Sequence, residues 1–121
     1  MAAKRILIVD DEAALRRLLD TCLRRAGHQA FCCASAAEVN AMESGDWDAA
    51  IVDLSLPDCD GPALICELLE RSPRLCVLAS SGSPFDLSSI PAADRHRVAF
   101  LAKPYLPQDL LRALDSLLCG P

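Results

Sequence analysis

The chain has 121 residues, enough for one domain with its own core. Hydrophobic residues make up 52% and charged residues 24%, which excludes a disordered chain and leaves an ordinary globular composition. A net charge of −5 with no long basic run argues against direct contact with nucleic acid, and no apolar run nears the ~20 residues of a membrane span.

The first element predicted is a strand over 5–10, RILIVD. The preceding residues form no signal peptide, because acids interrupt the apolar run at once, so a cytoplasmic location and no membrane contact are expected. Residues 12–26 then place Leu15, Leu18, Leu19, Cys22, Leu23 and Ala26 on one helical stripe, and Gly27 falls where a helix C-cap belongs. A second strand follows over 28–34. SAAE at 35–38 has capping-box spacing and opens a short helix expected to end near Gly45.

The third strand covers 48–54, DAAIVDL, and the next helix covers 61–72, with Leu64, Ile65, Leu68 and Leu69 on one face and Pro73 after its end. The fourth strand spans 74–80. The stretch 83–96, SPFDLSSIPAADRH, is a weak helix candidate because Pro91 would cut it, so one short or irregular piece is expected. A fifth strand over 97–103 leads to a helix over 106–118, with a proline suited to its first turn and a stripe of Leu110, Leu111, Leu114, Leu117 and Leu118. Three of the strands are near-continuous apolar runs, as in a parallel sheet covered on both faces. With no repeat and no linker, strand and helix alternate from end to end. The pattern predicts a single doubly wound α/β domain over residues 1–121.

The seven cysteines, at 22, 32, 33, 59, 66, 76 and 119, are odd in number and lack metal-binding spacing. They read as buried, reduced thiols that act as small hydrophobes, with Cys59, in a polar loop, expected to be exposed.

Ligands of open α/β sheets bind beyond the C-terminal ends of the strands. Asp10 and Asp11 lie at the end of the first strand, and Asp53 at or near the end of the third. If those strands are neighbours, three carboxylates meet at one edge. Asp11 and Glu12 also suit a helix N-terminus, where acids are favoured with no further role. Asp53 has no such explanation, since it follows four apolar residues. Converging carboxylates repel, and a hard divalent cation with oxygen ligands, magnesium rather than zinc, removes that cost. Lys103, ending the fifth strand before Pro104, aims an amine at the same edge, although a snorkelling surface lysine is the plainer reading. Ser80 and Ser81 supply hydroxyls there, or simply a turn. Together these groups describe a site for a metal and a phosphoryl group, with a carboxylate as nucleophile.

VDDE (9–12), IVDLSLPDCDG (51–61), LASSG (78–82) and FLAKPY (100–105), in this order, resemble the receiver domain of bacterial two-component response regulators. The resemblance covers essentially the whole chain. It implies a flavodoxin-like fold with five parallel strands in the order 2-1-3-4-5. It puts the phospho-accepting role on Asp53. Asp10 and Asp11 fall on the magnesium-holding pair, Asp11 directly and Asp10 through water, with the main-chain carbonyl of Ser55 as a further ligand. Lys103 falls on the phosphoryl-contacting lysine, joined to Pro104 by a bond that is cis in most relatives. Ser81 best fits the switch hydroxyl, because Gly82 beside it suits a close backbone approach; Ser80 is the alternative. Phe100 falls on the aromatic switch position.

The implied partners are a sensor histidine kinase or a histidine phosphotransfer protein, then an output domain or a homodimer partner. The lifetime of the phosphoryl group is tuned in relatives at the positions of Ser55 and Ser83. The broken segment around Pro91 departs from the family at a face that commonly carries output contacts. Arg16, Arg17, Arg24 and Arg25 on the first helix read either as a solvated face or as a kinase-docking face. A phosphorylation-independent receiver-like module remains the alternative function. An independent aspartyl phosphatase is disfavoured by Ser55, where such enzymes need an acid, and a flavin or nucleotide binder by the absence of a Gly-rich loop after the first strand.

Overall fold

A computed structural model describes residues 3–42 and 47–119. The expected end of the second helix near Gly45 lies outside the described residues. The elements run β1 (Arg5–Val9), α1 (Ala13–Arg25), β2 (Gln29–Cys33), α2 (Ala36–Ala41), β3 (Ala49–Asp53), α3 (Gly61–Arg71), β4 (Cys76–Ser81), β5 (Val98–Ala102) and α4 (Pro107–Cys119). All strand pairs are parallel, in the order β2-β1-β3-β4-β5. This is the doubly wound order expected for the flavodoxin-like fold.

Alternation along the strands builds a core on each face of the sheet. Leu7 and Val9 of β1 point toward Ile65, Leu68 and Leu69 of α3. Ile6 and Ile8 point the other way, toward Leu19 and Leu23 of α1 and Leu110 and Leu114 of α4. Each such side chain, buried to 4% exposure or less, contributes roughly 1.5–3 kcal/mol. β3 lies centrally with all five residues buried, which explains its unbroken apolar sequence. Leu18, expected on the α1 stripe, is instead 45% exposed. One residue along a helix turns about 100°, so Leu18 leaves the Leu19–Leu23 line.

Gly27 has φ +93°, in the left-handed region that ends helices. Ser35 Oγ accepts the Glu38 N–H at 3.2 Å, and Glu38 reaches back to the Ala34 N–H at 3.2 Å. Asp58, from the loop after β3, accepts the N–H groups of Ala36 and Ala37 at 3.2 and 3.1 Å. That carboxylate ties the β3–α3 loop to the start of α2.

Between β4 and β5 the irregular piece resolves into two 3₁₀ turns, Leu87–Ser89 and Ala92–Arg97, on either side of Ile90-Pro91. Ile90 is fully buried and anchors the segment. The cysteine reading is corrected: among the described residues only Cys33 is buried, Cys32 and Cys119 are exposed, and Cys59 is half-buried. Cys32 sits on edge strand β2 beside α1, where its Sγ reaches the Arg16 carbonyl at 4.0 Å.

Candidate functional site

Three strand ends build the site. β1 delivers Asp10, whose N–H donates to the Cys33 carbonyl at 3.1 Å, holding it against β2. The Asp10 carbonyl accepts Arg16 Nη1 at 2.8 Å, and its Oδ1 accepts the Glu12 N–H at 2.9 Å. β3 ends on Asp53, in register with Ser80 of β4, and the following Leu54 N–H donates to the Ser80 carbonyl at 2.8 Å. Asp10 and Asp53 are each only 3% exposed, whereas Asp11 is exposed.

Carboxylate oxygens of Asp10, Asp11 and Asp53 lie within 4.8 Å of one another. The neighbouring of β1 and β3, left open by the residue pattern, is what brings them together. No hydrogen bond or ion pair among the described residues engages Asp11. Among the described residues neither Asp11 nor Glu12 caps α1 through its side chain, although Glu12 occupies the N-cap. The donor set, all oxygen and close-packed, fits a hard divalent cation.

Lys103 comes from the end of β5, where its N–H donates to the Ser81 carbonyl at 2.9 Å. Its Nζ lies 3.2 Å from both Asp10 Oδ2 and Asp53 Oδ2. Burial works against the charged amine, but the hydrogen bond and charge of Asp10 and the charge of Asp53 outweigh it and raise its pKa. The Lys103–Pro104 peptide is cis.

Ser80 and Ser81 are both buried and project to opposite faces of β4. Ser81 Oγ lies 3.3 Å from Ser55 Oγ and accepts the Ser83 N–H at 3.1 Å. Ser55 in turn donates its N–H to Asp53 Oδ1 at 2.9 Å. Gly82 is not the crowded position expected, since a Cβ there would meet nothing within 4 Å. The placement of Ser81 follows instead from its register on β4 and its contact with Ser55. Phe100 of β5 is half-buried, and its ring centroid is 5.9 Å from that of Phe85.

Sequence reasoning missed Phe85 and Tyr105. Phe85 was hidden in the weak stretch, although an aromatic among polar residues there was a usable signal. The buried Tyr105 hydroxyl finds no hydrogen-bond partner among the described residues. Ser80 lies close enough to influence it, but no well-formed bond joins them. Burial, with the charges of Asp10 and Asp53, pushes its pKa up to about 12 against the opposing pull of Lys103. Two of the four α1 arginines are engaged: Arg16 holds the Asp10 carbonyl, and Arg24 bonds Asp20 at 2.9 Å and the Ala30 carbonyl at 3.1 Å. Arg17 and Arg25 are exposed.

A profile described as the response regulator receiver domain matches residues 6–115. The chain is 35% identical over 120 residues to the sensory/regulatory protein RpfC of Xanthomonas campestris pv. campestris, covering 93% of this chain and 16% of that protein. It is 29% identical over 122 residues to the DNA-binding transcriptional regulator NtrC of Rhizobium meliloti, covering 100% of this chain and 25% of that protein. The chain thus spans a quarter or less of the length of these curated relatives. Among solved structures, a CheY-like receiver domain protein from Methanospirillum hungatei JF-1 matches with a TM-score of 0.85 at 28% identity, over 98% of this chain and 95% of that one. The matched span includes every residue of the acid–lysine edge, and the chain belongs to the response regulator receiver domain family, which works in two-component phosphorelay signalling.

Proposed function

We propose that Asp53 accepts a phosphoryl group from a phosphohistidine of a sensor kinase or phosphotransfer protein, and that residues 1–121 act as one receiver unit in the cytoplasm. Among the described residues no helix is long and apolar enough to cross a membrane. The observation that carries the reading is the convergence of Asp10, Asp11 and Asp53 under the Lys103 amine.

In the transfer step a carboxylate oxygen of Asp53 forms a bond to phosphorus as the phosphorus–nitrogen bond breaks, and the donor imidazole leaves with that electron pair. The Ser55 N–H steadies Asp53 through Oδ1, and Lys103 turns toward the oxygens of the incoming group. Asp11, which no hydrogen bond or ion pair among the described residues engages, is suited to direct cation contact, and Asp10 to contact through water. The Ser55 carbonyl would complete the protein's ligands, with Asp53. Magnesium, when held there, offsets the repulsion of the carboxylates and the charge of the phosphoryl oxygens.

The product is a mixed anhydride bearing roughly two negative charges and strong acceptor oxygens. Ser81 rotates to donate to one oxygen, and Phe100 moves into the space released, leaving its place beside Phe85. This biases a two-state equilibrium that an output domain or a second copy of the chain reads. The domain's catalysis is confined to its own phosphorylation and to later loss of the group to water. Arg17 and Arg25, exposed on α1, are available to meet the kinase.

Intact mass after incubation with acetyl phosphate and magnesium tests the proposal. Wild type gains one phosphoryl group, the gain disappears with chelator, and Asp53→Asn gains none. No gain in wild type, with no magnesium binding, favours the phosphorylation-independent module.

A further inference from the structure

Ser55 touches both halves of the site. Its N–H donates to Asp53 Oδ1 at 2.9 Å, while its hydroxyl lies 3.3 Å from that of Ser81. Ser81 Oγ already accepts the Ser83 N–H at 3.1 Å. A serine hydroxyl has one hydrogen and two lone pairs, so Ser81 keeps its hydrogen and one lone pair for Ser55. Either Ser81 gives its hydrogen to Ser55, or Ser55 fills the second Ser81 lone pair. In both arrangements the bond fixes the Ser81 side chain against Ser55. Ser81 is 5% exposed and has little access to replacement water, whereas Ser55 is exposed.

We infer that the Ser55 hydroxyl is a positioning group that holds Ser81 in its resting rotamer and so opposes phosphoryl capture. The inference rests on phosphoryl acceptance at Asp53, as proposed above. A phosphoryl group has only acceptor oxygens, so Ser81 reaches it by donating its single hydrogen. To do so it either gives up the hydrogen it shares with Ser55 or, where Ser55 is the donor, moves its Oγ out of reach of that hydroxyl, and the lost hydrogen bond counts against the active state. Ser55 is thus a restraint on the switch, distinct from any ligation by its carbonyl, which side-chain substitution leaves in place.

The test uses beryllofluoride, a phosphoryl mimic, in magnesium buffer, with bound fluorine followed by NMR. Ser55→Ala tightens beryllofluoride about fivefold, the equivalent of one net hydrogen bond. Ser55→Thr, which keeps the hydroxyl, binds as wild type does. In a Ser81→Ala background, Ser55→Ala changes nothing, since the restrained group is gone. In the ligand-free chain the Ser83 amide, whose hydrogen meets Ser81 Oγ, shifts in Ser55→Ala and not in Ser55→Thr. Unchanged or weaker binding in Ser55→Ala, or an equal gain in the Ser81→Ala background, overturns the restraint. A wild type that captures no beryllofluoride overturns acceptance at Asp53 instead. The Ser83 amide then decides the contact alone, and an unmoved resonance in Ser55→Ala overturns it.

Discussion

Lys103 Nζ lies 3.2 Å from Asp53 Oδ2, so the amine occupies the flank of the same carboxylate that the acidic cluster offers to a cation. A cation held by that cluster would share with Lys103 the work of neutralising two buried acids, Asp10 and Asp53. Replacing Lys103 by methionine leaves that pair to the metal alone. In metal-free buffer Lys103→Met loses roughly 2 kcal/mol of stability, because two buried acceptors lose a charged donor. Magnesium restores most of it, and magnesium affinity rises on the order of tenfold, since a nearby positive charge is gone. Calorimetric melts with and without magnesium, together with a magnesium titration, check both. Equal magnesium affinity in the two chains would show that the amine does not act on the cation.

The backbone passes close to the residue after Asp53 at Gly61, the first residue of α3. A Cβ there would meet Leu54 Cδ2 at 2.8 Å and the Leu54 Cα and carbonyl oxygen at 2.9 Å. The side-chain atom can move, but the two backbone atoms cannot without shifting the residue that follows Asp53. Gly61→Ala therefore costs about 2 kcal/mol by overpacking and slows acetyl phosphate uptake as Asp53 is displaced. Gly82→Ala, with open space around it, stays within about 0.5 kcal/mol of wild type. Urea melts of the two variants side by side separate crowding from any general intolerance of alanine.

Arg97 supports the segment that replaced a helix. Its guanidinium donates to the carbonyls of Leu75 at 2.9 Å, Ser72 at 2.6 Å and Leu69 at 3.3 Å, and pairs with Asp94 at 3.3 Å. Leu69 lies in the last turn of α3 and Ser72 is its C-cap, where carbonyls lack helical partners and a cation is favoured. Arg97→Ala costs about 2 kcal/mol, and Arg97→Lys recovers only part, because an ammonium cannot span three carbonyls in a plane. Limited proteolysis should cut the variant between β4 and β5 before any other site. Cleavage elsewhere first would show that Ile90 burial alone holds the segment.

The contrast between these elements explains what the sequence made legible. Strands with near-continuous apolar runs, such as β3, were readable because burial on both faces leaves no other composition. Asp10, Asp53 and Lys103 were readable because each breaks such a run at its C-terminal end. Their convergence was not, because strand order is a tertiary property and only the pairing of β1 with β3 brings the acids together. The segment from 83 to 97 was legible only as a broken helix. It is held in part by buried Ile90 and by Arg97, which reaches carbonyls up to 28 residues away in the chain, for which no local pattern exists. Tyr105 was passed over for a similar reason, since nothing in FLAKPY tells that its hydroxyl ends up buried beside two carboxylates.

Tyr105 is the chain's single tyrosine, so tyrosinate absorbance reads it without interference. Burial, then the charges of Asp10 and Asp53, push its pKa up to about 12, although Lys103 pulls the other way. A raised pKa means the folded chain holds the phenolic proton more tightly than the unfolded chain, whose value is near 10. The associated stability is complete below pH about 10 and is lost as pH climbs toward the folded value. The expected alkaline titration of the folded chain has its midpoint well above that of the urea-unfolded chain. Asp53→Asn lowers the folded midpoint by removing one of the raising charges, and a divalent cation bound by Asp10, Asp11 and Asp53 lowers it in wild type for the same reason. A midpoint near 10 in the folded chain would mean the hydroxyl is solvated after all, and an unmoved midpoint in Asp53→Asn would mean that the Asp53 charge does not act on it.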